Sequence, residues 1–273
     1  MNRRFTQVQA NGLSIGCAIQ GCGDPLVLVH GGEADHSMFD RLAAELADDF
    51  TVIAYDQRDT GRTQDLAPQP RPYGLADMAD DLGLLIPALG YQRAHVFGHS
   101  LGGHIAQVFA ARHPGRVDRL ILSSTWPAGS GLQTANPPVA RQLALWRGDV
   151  ATHAADIAGL FFPPAYLAEH PERVEMFRTS SRTPAQNARR SALLGTPYPM
   201  QDRQIEATTL LLTGDADALI PVQASLAIAR CLRSPAHQTM PGVPHVSPIH
   251  SPSIVAANIK LFLQTDQNQE TGS

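Results

Sequence analysis

The stretch Gly98-His99-Ser100-Leu101-Gly102-Gly103 constrains the fold more than any other part of the chain. It joins a short apolar run, residues 94–99, to a run with helical spacing, residues 101–112. A serine placed between strand and helix in this way occupies a sharp, strained turn. Glycines two before and two after it remove the side chains that would collide where strand and helix approach each other. The hydroxyl then stands clear at a sheet edge, with a helix N-terminus beneath it. Such a turn demands a sheet for the strand to join, so strands and helices should alternate along the chain.

They do. Residues 4–10 and 13–19 flank Asn11-Gly12, a strong hairpin signal. Residues 25–30 and 51–56 are short apolar runs, as expected of strands buried on both faces. In 38–47, Met38, Leu42 and Leu46 fall four apart, which predicts a helix. A polar, proline-rich loop runs on to Tyr73. Residues 75–89 are helical in period, with Pro87 near the end, and 117–124 form the next strand. This alternation implies βαβ units: an α/β fold with a doubly wound, mostly parallel sheet. The pattern breaks from Trp126 to about Gln204. That stretch carries helical pieces at 139–146, 150–162, 164–181 and 184–194 but no buried strand. Strand 208–213, helix 222–232, strand 236–240 and helix 252–263 follow. The expected organisation is an α/β core of residues 1–125 and 205–273, with a helical cap insertion at 126–204 over the catalytic edge. Residues 264–273 are polar and expected to fray.

Composition narrows the partners. The 273 residues carry a formal net charge of −4 and no basic block, which argues against nucleic acid or an anionic membrane. Apolar runs such as Leu26-Val27-Leu28-Val29 are far too short to span a bilayer. No apolar stretch follows the first arginines, so no signal peptide is visible. Cys17, Cys22 and Cys231 show neither metal-ligand spacing nor an even-numbered framework. They read as reduced thiols of a cytoplasmic protein whose partner is a small molecule; a homodimer is compatible with this.

A serine hydroxyl is a weak nucleophile and needs a base and a group to orient that base. In open α/β sheets ligands bind at the carboxyl ends of the strands, and for this turn the chain order is serine, acid, histidine. Thr213-Gly214-Asp215-Ala216-Asp217 follows a late strand and offers two carboxylates. Pro241-Gly242-Val243-Pro244-His245 follows the last strand, with His250 five residues on. Position favours His245 as base; spacing alone leaves both choices open. Developing negative charge needs donors. The Leu101 N–H supplies one and the loop His30-Gly31-Gly32 the other, through Gly32. His30, His99, His104 and His237 read as packing or bracing groups. Trp126, Trp146, Phe161, Phe162 and Tyr166 offer aromatic surface for a substrate pocket, or pack the cap itself.

Together these residues resemble the α/β-hydrolase superfamily over essentially the whole chain. Within it, the chain is similar to the capped esterase and lactonase branch that includes 3-oxoadipate enol-lactonases and aminoacrylate hydrolases. Tyr55-Asp56-Gln57-Arg58-Asp59-Thr60-Gly61-Arg62 resembles that group's Y-D-x-R-G-x-G-x-S segment, with Asp59 and Thr63 in place of Gly and Ser. It reads as loop scaffold. The resemblance picks Asp217 over Asp215, since the family's acid stands three residues after the glycine. It picks His245 as well, with five residues between it and Ser251-Pro252. Proline iminopeptidases carry H-G-G-P-G where this chain has His30-Gly31-Gly32-Glu33-Ala34. Epoxide hydrolases and haloalkane dehalogenases need Asp where Ser100 stands. Glu33 either points a carboxylate at the pocket, disfavouring anionic substrates, or faces solvent. The resemblance implies a serine hydrolase of esters, lactones or amides with the set Ser100, Asp217 and His245, no metal and no organic cofactor. The alternatives are a C–C bond hydrolase or a cofactor-free dioxygenase on the same three residues, and a ligand receptor with a slow triad.

Overall fold

The computed structural model describes residues 3–179, 182–202 and 204–264; the expected fraying beyond 264 lies outside them. Asn11 and Gly12 take φ of +50° and +73°, the positive values that a two-residue hairpin turn requires. They join β1 (Arg4–Ala10) to β2 (Leu13–Gln20). There follow β3 (Asp24–Val29), α1 (Asp40–Leu46), β4 (Phe50–Tyr55), β5 (Gln64–Asp65), α2 (Leu75–Ala88), β6 (Ala94–His99), α3 (Leu101–Arg112) and β7 (Val117–Ser123). Among the described residues of the next stretch the named elements are helices: α4 (Leu132–Ala135), α5 (Pro137–Arg147), α6 (Val150–Gly159), α7 (Pro164–Glu169), α8 (Glu172–Arg178) and α9 (Pro184–Gly195). The sheet resumes with β8 (Thr208–Gly214), α10 (Val222–Leu226), β9 (Pro235–Met240), α11 (Ser247–His250) and α12 (Pro252–Gln264).

The strands lie in the order β1-β2-β4-β3-β6-β7-β8-β9, with β5 on β2. Pairings from β4 across to β9 are parallel, and those made by β2 are antiparallel. Period two sorts the buried side chains to opposite faces. Val27, Val29, Val96, Leu120 and Leu122 pack with α2 and α3 on one side. Leu26, Leu28, Phe97 and Ile121 pack with α1 and α12 on the other. Burial on both faces is why these strands read as unbroken apolar runs. The sheet is doubly wound and mostly parallel, with helices on both faces.

Several elements differ from the sequence reading. The helix expected at 38–47 opens with a 3-10 turn, His36–Phe39, whose first N–H groups Asp35 caps. The loop after β4 holds β5, two polar residues with no strand signal of their own. The piece expected at 164–181 is two helices, because Pro171 has no N–H to continue the ladder and the residue before it, His170, leaves helical geometry; Ser181 lies outside the described residues. The helix expected at 222–232 is α10 followed by a 3-10 turn, Ala227–Cys231. Among the described residues no helix is long and apolar enough to cross a membrane.

Candidate active site

Because β3, β6, β7, β8 and β9 run parallel, the residues that follow them gather at one edge of the sheet. Ser100 follows β6 directly, with φ +55° and ψ −120°. A Cβ on Gly98 would lie 2.6 Å from the Gly102 carbonyl oxygen, and one on Gly102 would lie 2.0 Å from that of Val29. The turn therefore closes only with glycine at both positions.

Ser100 Oγ lies 3.2 Å from His245 Nε2. His245 Nδ1 lies 2.9 Å from Asp217 Oδ2. An ionised carboxylate only accepts, so the ring proton sits on Nδ1 and Nε2 faces the serine hydroxyl as acceptor. The other Asp217 oxygen takes the Leu219 and Ile220 N–H groups at 2.9 and 2.8 Å. Asp215 points elsewhere: it accepts the Gly242 N–H at the turn after β9. His250 bonds Ser251, and His237 reaches Thr213. The loop after β3 lies against the serine, with an added Cβ on Gly31 3.5 Å from Ser100 Cβ and one on Gly32 3.7 Å from Leu101 Cδ2. Among the described residues, neither the Gly32 nor the Leu101 N–H donates to a protein acceptor.

Three buried histidines, His30, His99 and His104, are held neutral. Burial pushes His30 and His104 down to about 4. Burial, reinforced by the neighbouring His245, lowers His99 well below the usual range. His30 braces the loop through Gly31 O and Thr60 Oγ1. His104 packs edge-on against Trp126, ring centroids 4.3 Å apart. The 55–63 segment spends its polar groups on itself and its surroundings. Arg58 forks onto Asp81 at 2.6 and 2.7 Å, and Asp56 takes the His36 and Arg62 N–H groups. Asp35, His36 and Asp56 cluster closely enough to suit a cation, yet those same bonds, with Asp35 capping the 3-10 turn, occupy their oxygens.

A cavity of about 900 Å³ opens beside Gly32 and Leu101. Glu33, Asp35 and Arg41 line its core side, and Arg147, Ile157, Arg173, Phe177, Arg182 and Arg190 line the side formed by the inserted helices. Glu33 lines this cavity with both oxygens engaged, by Arg147 at 3.0 Å and Arg182 at 2.8 Å. The aromatic residues expected at the pocket fare differently. Phe161 packs edge-on against His245, centroids 5.3 Å apart, and against Phe177. Phe161, Trp126, Trp146 and Phe162 do not line the cavity. Phe162 is fully buried and stacked on Tyr166, Trp126 packs on His104 and bonds Ser130 O, and Trp146 stacks on His153. Their large apolar bodies are satisfied within the fold. The sequence reading missed Phe177 and the arginines, since an arginine on an amphipathic helix carries the signal of a solvated face.

Residues 24–251 match the model of a family described as the alpha/beta hydrolase fold. The chain belongs to the α/β-hydrolase fold family. Among its relatives is a protein of Yersinia enterocolitica with the provisional name carbamate hydrolase RutD. The two are 32% identical over 192 residues, 68% of each chain. A solved hydrolase from Pseudomonas aeruginosa PA01 superposes with a TM-score of 0.78 at 27% identity, covering 96% of this chain and 98% of that one. The enol-lactonase of Burkholderia xenovorans LB400 shares the fold, with a TM-score of 0.76 at 22% identity and 95% and 99% coverage. This α/β-hydrolase family member is accordingly a hydrolase.

Proposed function

We propose that the chain hydrolyses a small carboxylic ester or lactone through an acyl-enzyme on Ser100. The observation that carries this reading is the continuous relay from Ser100 Oγ to His245 to Asp217, at 3.2 and 2.9 Å, beside two backbone N–H groups that meet no protein acceptor among the described residues. Ser100 Oγ attacks the carbonyl carbon while His245 Nε2 takes its proton. The charge that develops on the carbonyl oxygen is met by the Gly32 and Leu101 N–H groups. Asp217 holds the ring tautomer and stabilises the imidazolium. His245 then gives its proton to the leaving oxygen, the C–O bond breaks, and an ester remains on Ser100. Water then attacks the acyl carbon while His245 takes one of its protons, and His245 returns that proton to Ser100 Oγ as the bond to the serine breaks, releasing the free acid. The provisional name of the Yersinia relative adds carbamates to the substrates to be tried. Residues 126–204 act as a cap whose side chains select the part of the substrate remote from the scissile bond, and the reaction is assigned to the cytoplasm.

A panel of nitrophenyl esters, lactones, small amides and carbamates tests the substrate class. On the best of them Ser100→Ala should fold normally and lower kcat by about 10³-fold or more, the oxyanion donors being retained. A folded Ser100→Ala protein with near-normal turnover would overturn the reading. A wild-type protein that releases one product and stalls would point instead to a receptor.

A further inference from the structure

Gly32 carries one oxyanion donor of the proposed reaction, and glycine has the widest backbone freedom of any residue. Its surroundings remove that freedom. Three consecutive carbonyls are each held by a side chain. Gln57 Nε2 donates to His30 O at 2.7 Å, His30 Nδ1 to Gly31 O at 2.8 Å, and Arg190 Nη2 to Gly32 O at 3.3 Å. The Gln57 backbone N–H donates to His30 Nε2 at 3.3 Å, which leaves the ring proton on Nδ1 and fixes the sense of the second bond. Both peptide planes flanking the Gly32 Cα are thus fixed, one by His30 and one by Arg190.

Arg190 belongs to α9, 158 residues further along the chain. It is 4% exposed, and its other bonds go to Arg58 O and Gln57 Oε1, both at 3.0 Å. Among the described residues no carboxylate forms an ion pair with it; the Tyr73 hydroxyl lies against it and Glu33 acts on it only at a distance, so burial of this cation is a costly arrangement. Docking of α9 has a second polar anchor. The neighbouring Arg189 already forks onto Asp59 with two bonds of 2.7 Å. Arg190 alone of the two also reaches the oxyanion loop.

We infer that Arg190 is a positioning residue for the proposed hydrolysis: His30 holds the peptide plane that carries the Gly32 N–H, and Arg190, by gripping the Gly32 carbonyl, holds the plane that follows and so the place of the Gly32 Cα, tying the oxyanion donor to the docking of α9. The inference rests on the acyl-enzyme reading above. It is read from the rate at which a fluorophosphonate labels Ser100, followed by mass spectrometry, together with kcat, KM and Tm on a nitrophenyl ester. Arg190→Met should slow labelling and kcat in parallel by about 10- to 100-fold, part of what loss of an oxyanion donor costs, with KM nearly unchanged. Arg190→Lys, which keeps the charge but loses the fork, should fall between. Arg189→Met should lower Tm and leave both rates near wild type. Wild-type labelling and kcat in Arg190→Met overturn the inference, as does an equal loss in Arg189→Met, which would make the effect one of docking alone. If Arg190→Met does not fold, a wild-type labelling rate in Arg190→Lys overturns it instead. Absence of label on wild-type Ser100 defeats the acyl-enzyme reading itself, whereas label without an Arg190 effect defeats only the inference.

Discussion

Ser100 holds a backbone conformation that costs a residue with a side chain about 1–3 kcal/mol, and its neighbours keep it there. Its N–H donates to Ser123 O at 3.0 Å, and its carbonyl accepts from the Gly103 N–H and from Thr125 Oγ1, both at 2.8 Å. The two carboxylates after β8 divide along the same lines, by what surrounds each. In Asp217→Asn, the Leu219 and Ile220 N–H groups should keep an oxygen in their own direction and turn the amide nitrogen toward His245. Donor would then face donor, and the ring would move its proton to Nε2, where it blocks the serine. We expect kcat to fall by about 10⁴-fold, while Asp215→Asn, which disturbs only the bond to the Gly242 N–H, should stay close to wild type. Steady-state kinetics on one ester decides this, and equal losses in the two variants would be inconsistent with the assignment of Asp217.

At the scale of elements, the position of Ser100 depends on how closely α3 approaches β3. Gly102 is the contact point, its missing side chain filled by the Val29 carbonyl. In Gly102→Ala a backbone atom, not a flexible side chain, would have to move, so we expect a loss of about 3 kcal/mol or more in urea unfolding and a loss of activity with it. Gly115, with open space around it, is the control, and Gly115→Ala should change neither. A Gly102→Ala protein as stable as Gly115→Ala would mean that the helix does not pack this tightly. The inserted helices dock by polar contacts of a different kind. Arg189 and Arg190 of α9 reach the 57–59 loop, and Arg147 of α5 reaches Glu33. Asp59, which stands where the family has glycine, keeps φ at +59° and spends its carboxylate on Arg189 and Tyr73.

For the molecule as a whole, the buried neutral histidines set a pH dependence. His30 and His104 titrate near 4 when folded, and His99 well below 6.5. Unfolded, each returns to about 6.5. Between those values the unfolded chain binds more protons, so stability should fall as pH drops from about 6.5 to about 4, by up to about 1.4 kcal/mol per pH unit for each group. His36, raised by its bond to Asp56, works in the opposite sense, but His95 and His250, also lowered by burial, add to the first three, so it is one group against five. Urea midpoints at pH 5 and pH 7 test this; equal midpoints would mean that these rings are charged or solvated when folded. The sequence by itself determined the apolar strands, their alternation with helices and the sharp turn at Ser100, because apolar period and glycine spacing are local consequences of burial and steric contact; the polar β5 it did not show. It also placed the acid and base on the loops after β8 and β9, though choosing Asp217 from Asp215 took the resemblance to known hydrolases. Only the tertiary structure decided what faces the cavity. It buried Phe162 and Trp126 within the fold, paired Glu33 with two arginines, and brought Arg190 to Gly32. These are contacts between residues more than a hundred positions apart, or choices between equally apolar surfaces, and no local pattern encodes which side chain a packed neighbour will cover.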